Sequence, residues 1–206
     1  MTDAADPVNL IRRAFDQSIR LVDAVPADRF GDPTPCTHFD VRALVGHMTF
    51  AAGRLADAGR RQPIIDEAPV ITGVADAEWS EAFGTAARSA IDVWTSDGAL
   101  EGEITLPYGT FAAPVVVLIY VEEQVTHGWD LAVAIGQEAS LDPVLAEVIL
   151  PVVQQFIPVD GREEGMGFGA AVDLPDSAPV YDRLAAYLGR QPGPADGHYR
   201  TVSSRR

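Results

Sequence analysis

The chain has 206 residues, 47% of them hydrophobic, with a formal net charge of -15 and a pI near 4.4. Phosphate backbones and anionic membrane surfaces are recruited by basic patches, so this acidic balance excludes nucleic-acid and membrane-surface partners from the expectation. Cys36 is the single cysteine, which rules out an intramolecular disulfide and a four-cysteine zinc site. No stretch has the layout of a signal peptide or the ~20 apolar residues of a membrane span, and one soluble, cytoplasmic domain with a short appendage is expected.

Asp6 and Pro7 supply an N-cap and a first-turn proline, and Leu10, Ile11, Ala14, Ile19, Leu21 and Val22 recur at helical spacing up to Val25, predicting a first helix. The Pro- and Asp-rich stretch "VPADRFGDPTPCTHF" is a loop leading to Asp40, the expected N-cap of a second helix that ends near Gly59. On that helix Leu44, His47, Ala51 and Leu55 share one face. Residues 60–75 carry Pro, Gly and acidic side chains without periodicity and read as a long surface loop placed to cover a site. A third helix follows over residues 76–94.

In "GEITLPYGTFAAP", Ile104, Leu106 and Tyr108 alternate around a Pro107 and Gly109 turn, which predicts a short hairpin. Pro114 opens a fourth helix, "VVVLIYVEEQVTHGWDLAVAIG", stopped by Gly136. A fifth helix runs from Asp142-Pro143 to about Ile157, then "MGFGAAVDLP" reads as an edge strand and "SAPVYDRLAAYLGRQP" as a terminal amphipathic helix closed by Gly189. Four long helices with scraps of strand predict an all-α fold: a four-helix bundle over residues 1–157, a strand-helix appendage over 158–192 and a disordered tail over 193–206. The apolar face of the terminal helix, at Val180, Leu184 and Leu188, packs either on the bundle or on a second subunit of a homodimer.

Glu123 and His127 are four residues apart, so a helix places them on one face with Cβ atoms ~5–6 Å apart, and Asp130 continues that face. The same stripe holds Val116, Ile119, Tyr120, Leu131 and Ala134, which makes it an apolar seam. An ionised carboxylate there costs several kcal/mol unless it is paired or binds a cation. A self-satisfied Glu–His⁺ pair is one solution. The other brings in His47, also on an apolar face of a separate helix: two imidazoles and one carboxylate from facing helices form an open divalent-metal site. His38 in the loop and His198 in the tail are the remaining histidines.

"PTPCTHFDVRALVGHM", followed far downstream by "EEQVTHGWDLAVAIG", resembles the N-terminal domain of mycothiol-dependent maleylpyruvate isomerases, within the wider DinB/YfiT-like superfamily of metal-binding four-helix bundles. The resemblance covers about residues 7–157, and the end of the chain resembles the short-tailed actinobacterial branch of the group. It implies a DinB-like bundle whose metal ligands fall on His47, Glu123 and His127, the residues that spacing selects. Thr34, Pro35 and Cys36 and the run from His127 to Ala132 match the family's motifs, with Phe39 at its aromatic position and His38 at a small one. The isomerases carry a further C-terminal α/β domain, for which about 50 residues after the bundle are too few. What the resemblance implies here is the metal site and an affinity for a low-molecular-weight thiol such as mycothiol.

The functional expectation is a divalent ion, Zn²⁺ first among them, at His47, Glu123 and His127, with open positions for a thiol or a small-molecule substrate in transferase or isomerase chemistry. Asp130 is the candidate to hold His127 from behind, Arg54 to bind an anionic substrate group, and His38 to shape the pocket mouth. Cys36 is read as a small, buried structural residue, since nothing basic flanks it to depress its pKa. Two other readings stand beside this one: a non-catalytic metal- or small-molecule-binding stress protein, and an all-helical interaction module without metal.

Overall fold

A computed structural model describes residues 6–64, 69–160 and 168–193. Helix α1 (Pro7–Asp23) begins where the Asp6 carboxylate accepts the Val8 N–H at 3.3 Å and Pro7 opens the first turn. Helix α2 (Val41–Gly59) is capped by Asp40, whose carboxylate accepts the Ala43 N–H at 2.8 Å; such a cap is worth ~1 kcal/mol. A 3-10 turn at Asp76–Glu78 leads into α3 (Trp79–Trp94).

The hairpin pairs β1 (Glu103–Leu106) with β2 (Gly109–Ala112), Ile104 opposite Phe111 and Thr105 opposite Thr110. Helix α4 (Ala113–Ile135) ends at Gly136, whose φ of 74° lies in the left-handed region that only glycine adopts without steric cost. Helix α5 (Pro143–Phe156) is capped by Asp142, and α6 (Val180–Tyr187) follows after an irregular segment.

Helices α1 and α2 each pack against both α3 and α4, which closes a ring of four with α1 and α2 on one diagonal. Its core holds Leu10 and Phe15 of α1, Leu44, Met48 and Leu55 of α2, Trp79, Phe83 and Trp94 of α3, and Val116, Val125 and Leu131 of α4. The Trp94 indole N–H donates to the Leu55 carbonyl at 2.7 Å and so pins α3 to α2 without leaving a buried donor unpaired. The bundle and hairpin are those the periodicity predicts, and α2 and α4, the helices that carry His47 and Glu123, are neighbours in the ring.

The appendage packs α5 against α4 and α6 against α5. Leu184 and Leu188 are each 1% exposed, so the terminal helix turns its apolar face onto its own chain and not toward a second subunit. The edge strand expected at "MGFGAAVDLP" is corrected: residues 168–174 form no ladder. The Gly169 N–H donates instead to the Leu188 carbonyl at 3.3 Å and the Val172 N–H to Ala186 at 2.9 Å. The end of α6 leaves carbonyls without intrahelical donors, and this segment supplies them. Met166, the expected tail from residue 194 onward and His198 lie outside the described residues.

Candidate metal centre

The site forms where the 33–40 loop, α2, α4 and the end of the appendage meet. Thr34 ties the loop together, its hydroxyl within hydrogen-bonding distance of the Cys36 carbonyl at 3.0 Å and the Phe39 carbonyl at 2.8 Å. This holds Phe39 stacked on the His47 ring, centroids 5.1 Å apart, and edge-on to His127 at 6.3 Å. The two imidazoles stand 4.8 Å apart and nearly perpendicular.

Glu123 Oε2 lies between them, 3.2 Å from His47 Nε2 and 3.5 Å from His127 Nε2. The other nitrogen of each ring has an acceptor of its own. His47 Nδ1 is 2.7 Å from the Pro69 carbonyl, and His127 Nδ1 is 2.9 Å from Asp130 Oδ2. A carbonyl can only accept, and Asp130 is held ionised: burial opposes its charge, but the hydrogen bond from His127 and the charge of Arg190 prevail and lower its pKa. Both Nδ1 atoms therefore carry the proton. In neutral imidazoles both Nε2 atoms then present lone pairs, and they present them to a carboxylate oxygen that also has only lone pairs. Three acceptors facing one another need a proton or a cation between them.

Three donors each ~2.1 Å from a tetrahedral ion stand ~3.4 Å apart, and the 3.2 and 3.5 Å from Glu123 Oε2 to the two Nε2 atoms match that spacing. The donor set of two imidazoles and one carboxylate suits Zn²⁺ and leaves a coordination position open. Without an ion the charge balance falls to protons. Burial opposes protonation of His47, but the Glu123 hydrogen bond and charge and the Pro69 carbonyl outweigh it and raise its pKa. Burial likewise opposes ionisation of Glu123, yet the hydrogen bond from His47 and the positive charges of His127, His47 and Arg190 depress its pKa.

A cavity of about 240 Å³ reaches these donors, lined by His47, Glu123, His127 and Phe39 together with Cys36, His38, Glu122, Thr126, Phe168 and Arg190. Of the sequence candidates, His47, Glu123 and His127 converge, Asp130 stands behind His127, and exposed His38 is at the cavity wall. Arg54 is not among the lining residues; its guanidinium sits 4.9 Å over the Phe50 ring and 3.8 Å from the Asp57 carboxylate.

Sequence reasoning missed three residues. Arg190, 7% exposed, donates to both oxygens of Asp130, at 3.3 Å from Nε and 3.0 Å from Nη2. The sequence signals that a carboxylate buried in an apolar seam needs a cation, but with fifteen arginines and no lysine it does not say which arginine supplies it. Glu122 faces the cavity while accepting from the Thr126 hydroxyl at 2.8 Å; burial and the adjacent Glu123 charge push its pKa well above the usual carboxylate range. Cys36 is also a lining residue, because the loop bends back toward His127. Burial and then the Asp130 charge raise its thiol pKa, with Arg190 opposing.

With this geometry in place, the comparisons with known proteins are specific. Residues 11–132 match the family model of the mycothiol maleylpyruvate isomerase N-terminal domain. The chain belongs to that family. Curated relatives from two strains of Mycobacterium tuberculosis, both uncharacterized proteins, are 31% identical over 188 residues, which is 90% of this chain and 98% of theirs. The crystal structure of the mycothiol-dependent maleylpyruvate isomerase superposes with a TM-score of 0.56 at 14% identity, over 74% of this chain and 70% of the enzyme. A histidine-to-alanine mutant of that enzyme gives 0.55 at 15%. At that identity the likeness establishes the fold, the all-α bundle of the isomerase family.

Proposed function

We propose that the chain is a divalent-metal-dependent enzyme that works with a low-molecular-weight thiol of the mycothiol class, its ion held by His47, Glu123 and His127. The observation that carries this reading is the meeting of the two Nε2 lone pairs with Glu123 Oε2 at 3.2 and 3.5 Å, each ring having its other nitrogen already bonded. When bound, Zn²⁺ at such a donor set supplies an open coordination position and lowers the pKa of a thiol or water placed there. Pro69 and Asp130 fix the rings so that both Nε2 atoms stay aimed at one point. Phe39 shields the rings on the loop side. Glu122, inclined to keep its proton, is the carboxyl in the wall able to exchange one with a reacting group.

The cavity favours an enzyme over a closed structural metal site, because a space for a small ligand reaches all three donors. At about 240 Å³ it takes the reacting end of a thiol or a small electrophile, with the remainder of a larger thiol leaving by the mouth near His38. The direct test is Co²⁺ substitution followed by titration with mycothiol. New sulfur-to-cobalt charge-transfer absorption is expected. A Co²⁺-loaded protein whose spectrum ignores every thiol removes the thiol half of the reading, and a wild-type protein that takes up neither Zn²⁺ nor Co²⁺ removes the metal half.

A further inference from the structure

We infer that Arg190 is a positioning residue for the donor set: it clamps Asp130, Asp130 holds the His127 ring, and a backbone crossing at Gly169 and Gly189 sets Arg190 in place. Two glycines make that crossing. A Cβ on Gly189 would stand 2.4 Å from Gly169 Cα and 2.6 Å from its N and C atoms, and Gly189 has a φ of 87°. Neither the space nor the backbone conformation admits a side chain. The flanking residues are those that the described part of the appendage contributes to the cavity wall, Phe168 before Gly169 and Arg190 after Gly189.

The chain of contacts from there is continuous. Arg190 donates to both oxygens of Asp130, which is 0% exposed, and Asp130 Oδ2 accepts from His127 Nδ1 at 2.9 Å. A buried carboxylate held by a two-nitrogen guanidinium contact has one orientation, and the imidazole it accepts from has one tautomer and one ring plane. The edge of His127 that would ligate the ion is therefore governed from Arg190, 60 residues beyond Asp130. The indole N–H of Trp129 donates to Asp182 at 3.1 Å and ties the same turn of α4 to α6.

The functional consequence rests on the metal reading given above, but the positioning itself is measurable without metal. In the metal-free wild-type protein, ¹⁵N NMR of the imidazoles, recorded at a pH where the His127 ring is neutral, is expected to show it predominantly as the Nδ1–H tautomer. In Arg190→Met that preference is lost and the resonance averages, Arg190→Lys recovers part of it, and Gly189→Ala behaves like Arg190→Met. Zn²⁺ affinity by chelator competition should fall ~10–100-fold in Arg190→Met, the usual effect of losing a group that holds a ligand from behind, and by less in Arg190→Lys. Helical circular dichroism confirms which variants are folded; if Arg190→Met is not, the Lys and Gly189→Ala variants decide. A folded Arg190→Met or Gly189→Ala protein that keeps the wild-type His127 tautomer overturns the inference, and so does one that binds Zn²⁺ as tightly as wild type. Absence of Zn²⁺ binding in wild type itself would strike the metal reading, leaving the tautomer measurement to judge the clamp.

Discussion

His47 Nδ1 donates to the Pro69 carbonyl at 2.7 Å, and that bond turns Nε2 toward Glu123. The loop can approach α2 this closely because residue 46 is glycine: the Ile71 N–H donates to the Gly46 carbonyl at 3.2 Å, and a Cβ there would stand 2.4 Å from the Ile71 oxygen. Replacing Gly46 by alanine favours the helix by up to ~1 kcal/mol through propensity but forces the loop away. The expected outcome for Gly46→Ala is a folded bundle whose Zn²⁺ affinity falls ~10–100-fold, as His47 loses the group that orients it. Competition with a chromophoric chelator measures it; unchanged affinity would mean that Pro69 does not set the ring.

Removing a proposed ligand should cost more than removing its support. His47→Ala, Glu123→Gln and His127→Ala each leave two donors, too few for an open site, so Zn²⁺ affinity is expected to fall by more than ~100-fold in each. The fold should persist, since the core of all four helices lies outside these residues. Circular dichroism beside metal content in the three variants checks both halves.

The bundle, its caps and its hairpin were legible because each is written locally: Asp6, Asp40 and Asp142 are short acceptors before apolar periodicity, and Gly136 stops α4. The convergence of His47, Glu123 and His127 was legible because polar groups on apolar stripes need partners. Arg190 was not, since nothing local to "LGRQP" distinguishes a clamp from a solvated surface arginine; only the tertiary crossing of Gly169 and Gly189 does. The supposed edge strand misled for a related reason. Its alternating pattern is real, but its backbone groups find the end of α6 before any strand.

The pH dependence of the metal-free and metal-loaded proteins should have opposite slopes around neutrality. In the metal-free protein the folded-state pKa of His47 lies above its unfolded value, so its contribution is fully present below the unfolded pKa and is lost as pH rises through the folded one. Glu122, also raised, acts in the same sense, because the folded state keeps a proton that the unfolded chain releases. Glu123 and Asp130 are depressed, and their contributions are lost only as pH falls through their folded pKa values on the acid side. Without metal, stability therefore declines as pH rises through neutrality, Glu122 contributing from its ordinary carboxylate pKa of about 4.3 up to about 8 and His47 from about 6.5 upward. With saturating Zn²⁺ it should rise over the same interval, because protons no longer compete for the two imidazoles. Melting temperatures with chelator and with Zn²⁺ across this range test the crossing; parallel curves would place the ion elsewhere.

Cys36→Ser should leave the proposed metal site intact. The sulfur, a His127 nitrogen and an Asp130 oxygen lie within 4.8 Å of one another, which makes a second donor trio conceivable on distance alone. The hydrogen bonds argue against it. His127 Nδ1 carries a proton bonded to Asp130 and so has no lone pair for an ion on that side, and the Asp130 charge is already met by Arg190, which donates to both its oxygens. The thiol is itself held protonated by burial and by the Asp130 charge, and a protonated thiol is a poor ligand. The expectation is a Zn²⁺ stoichiometry unchanged in Cys36→Ser, an affinity within ~3-fold of wild type, and a loss of stability no greater than ~1–2 kcal/mol for a half-buried sulfur. Alkylation of Cys36 in wild type should be slow at neutral pH with or without Zn²⁺, whereas a ligating thiolate would be protected only in the loaded protein. A metal-depleted Cys36→Ser variant, or alkylation that Zn²⁺ blocks outright, would make the sulfur part of the coordination and move the centre to the far edge of His127.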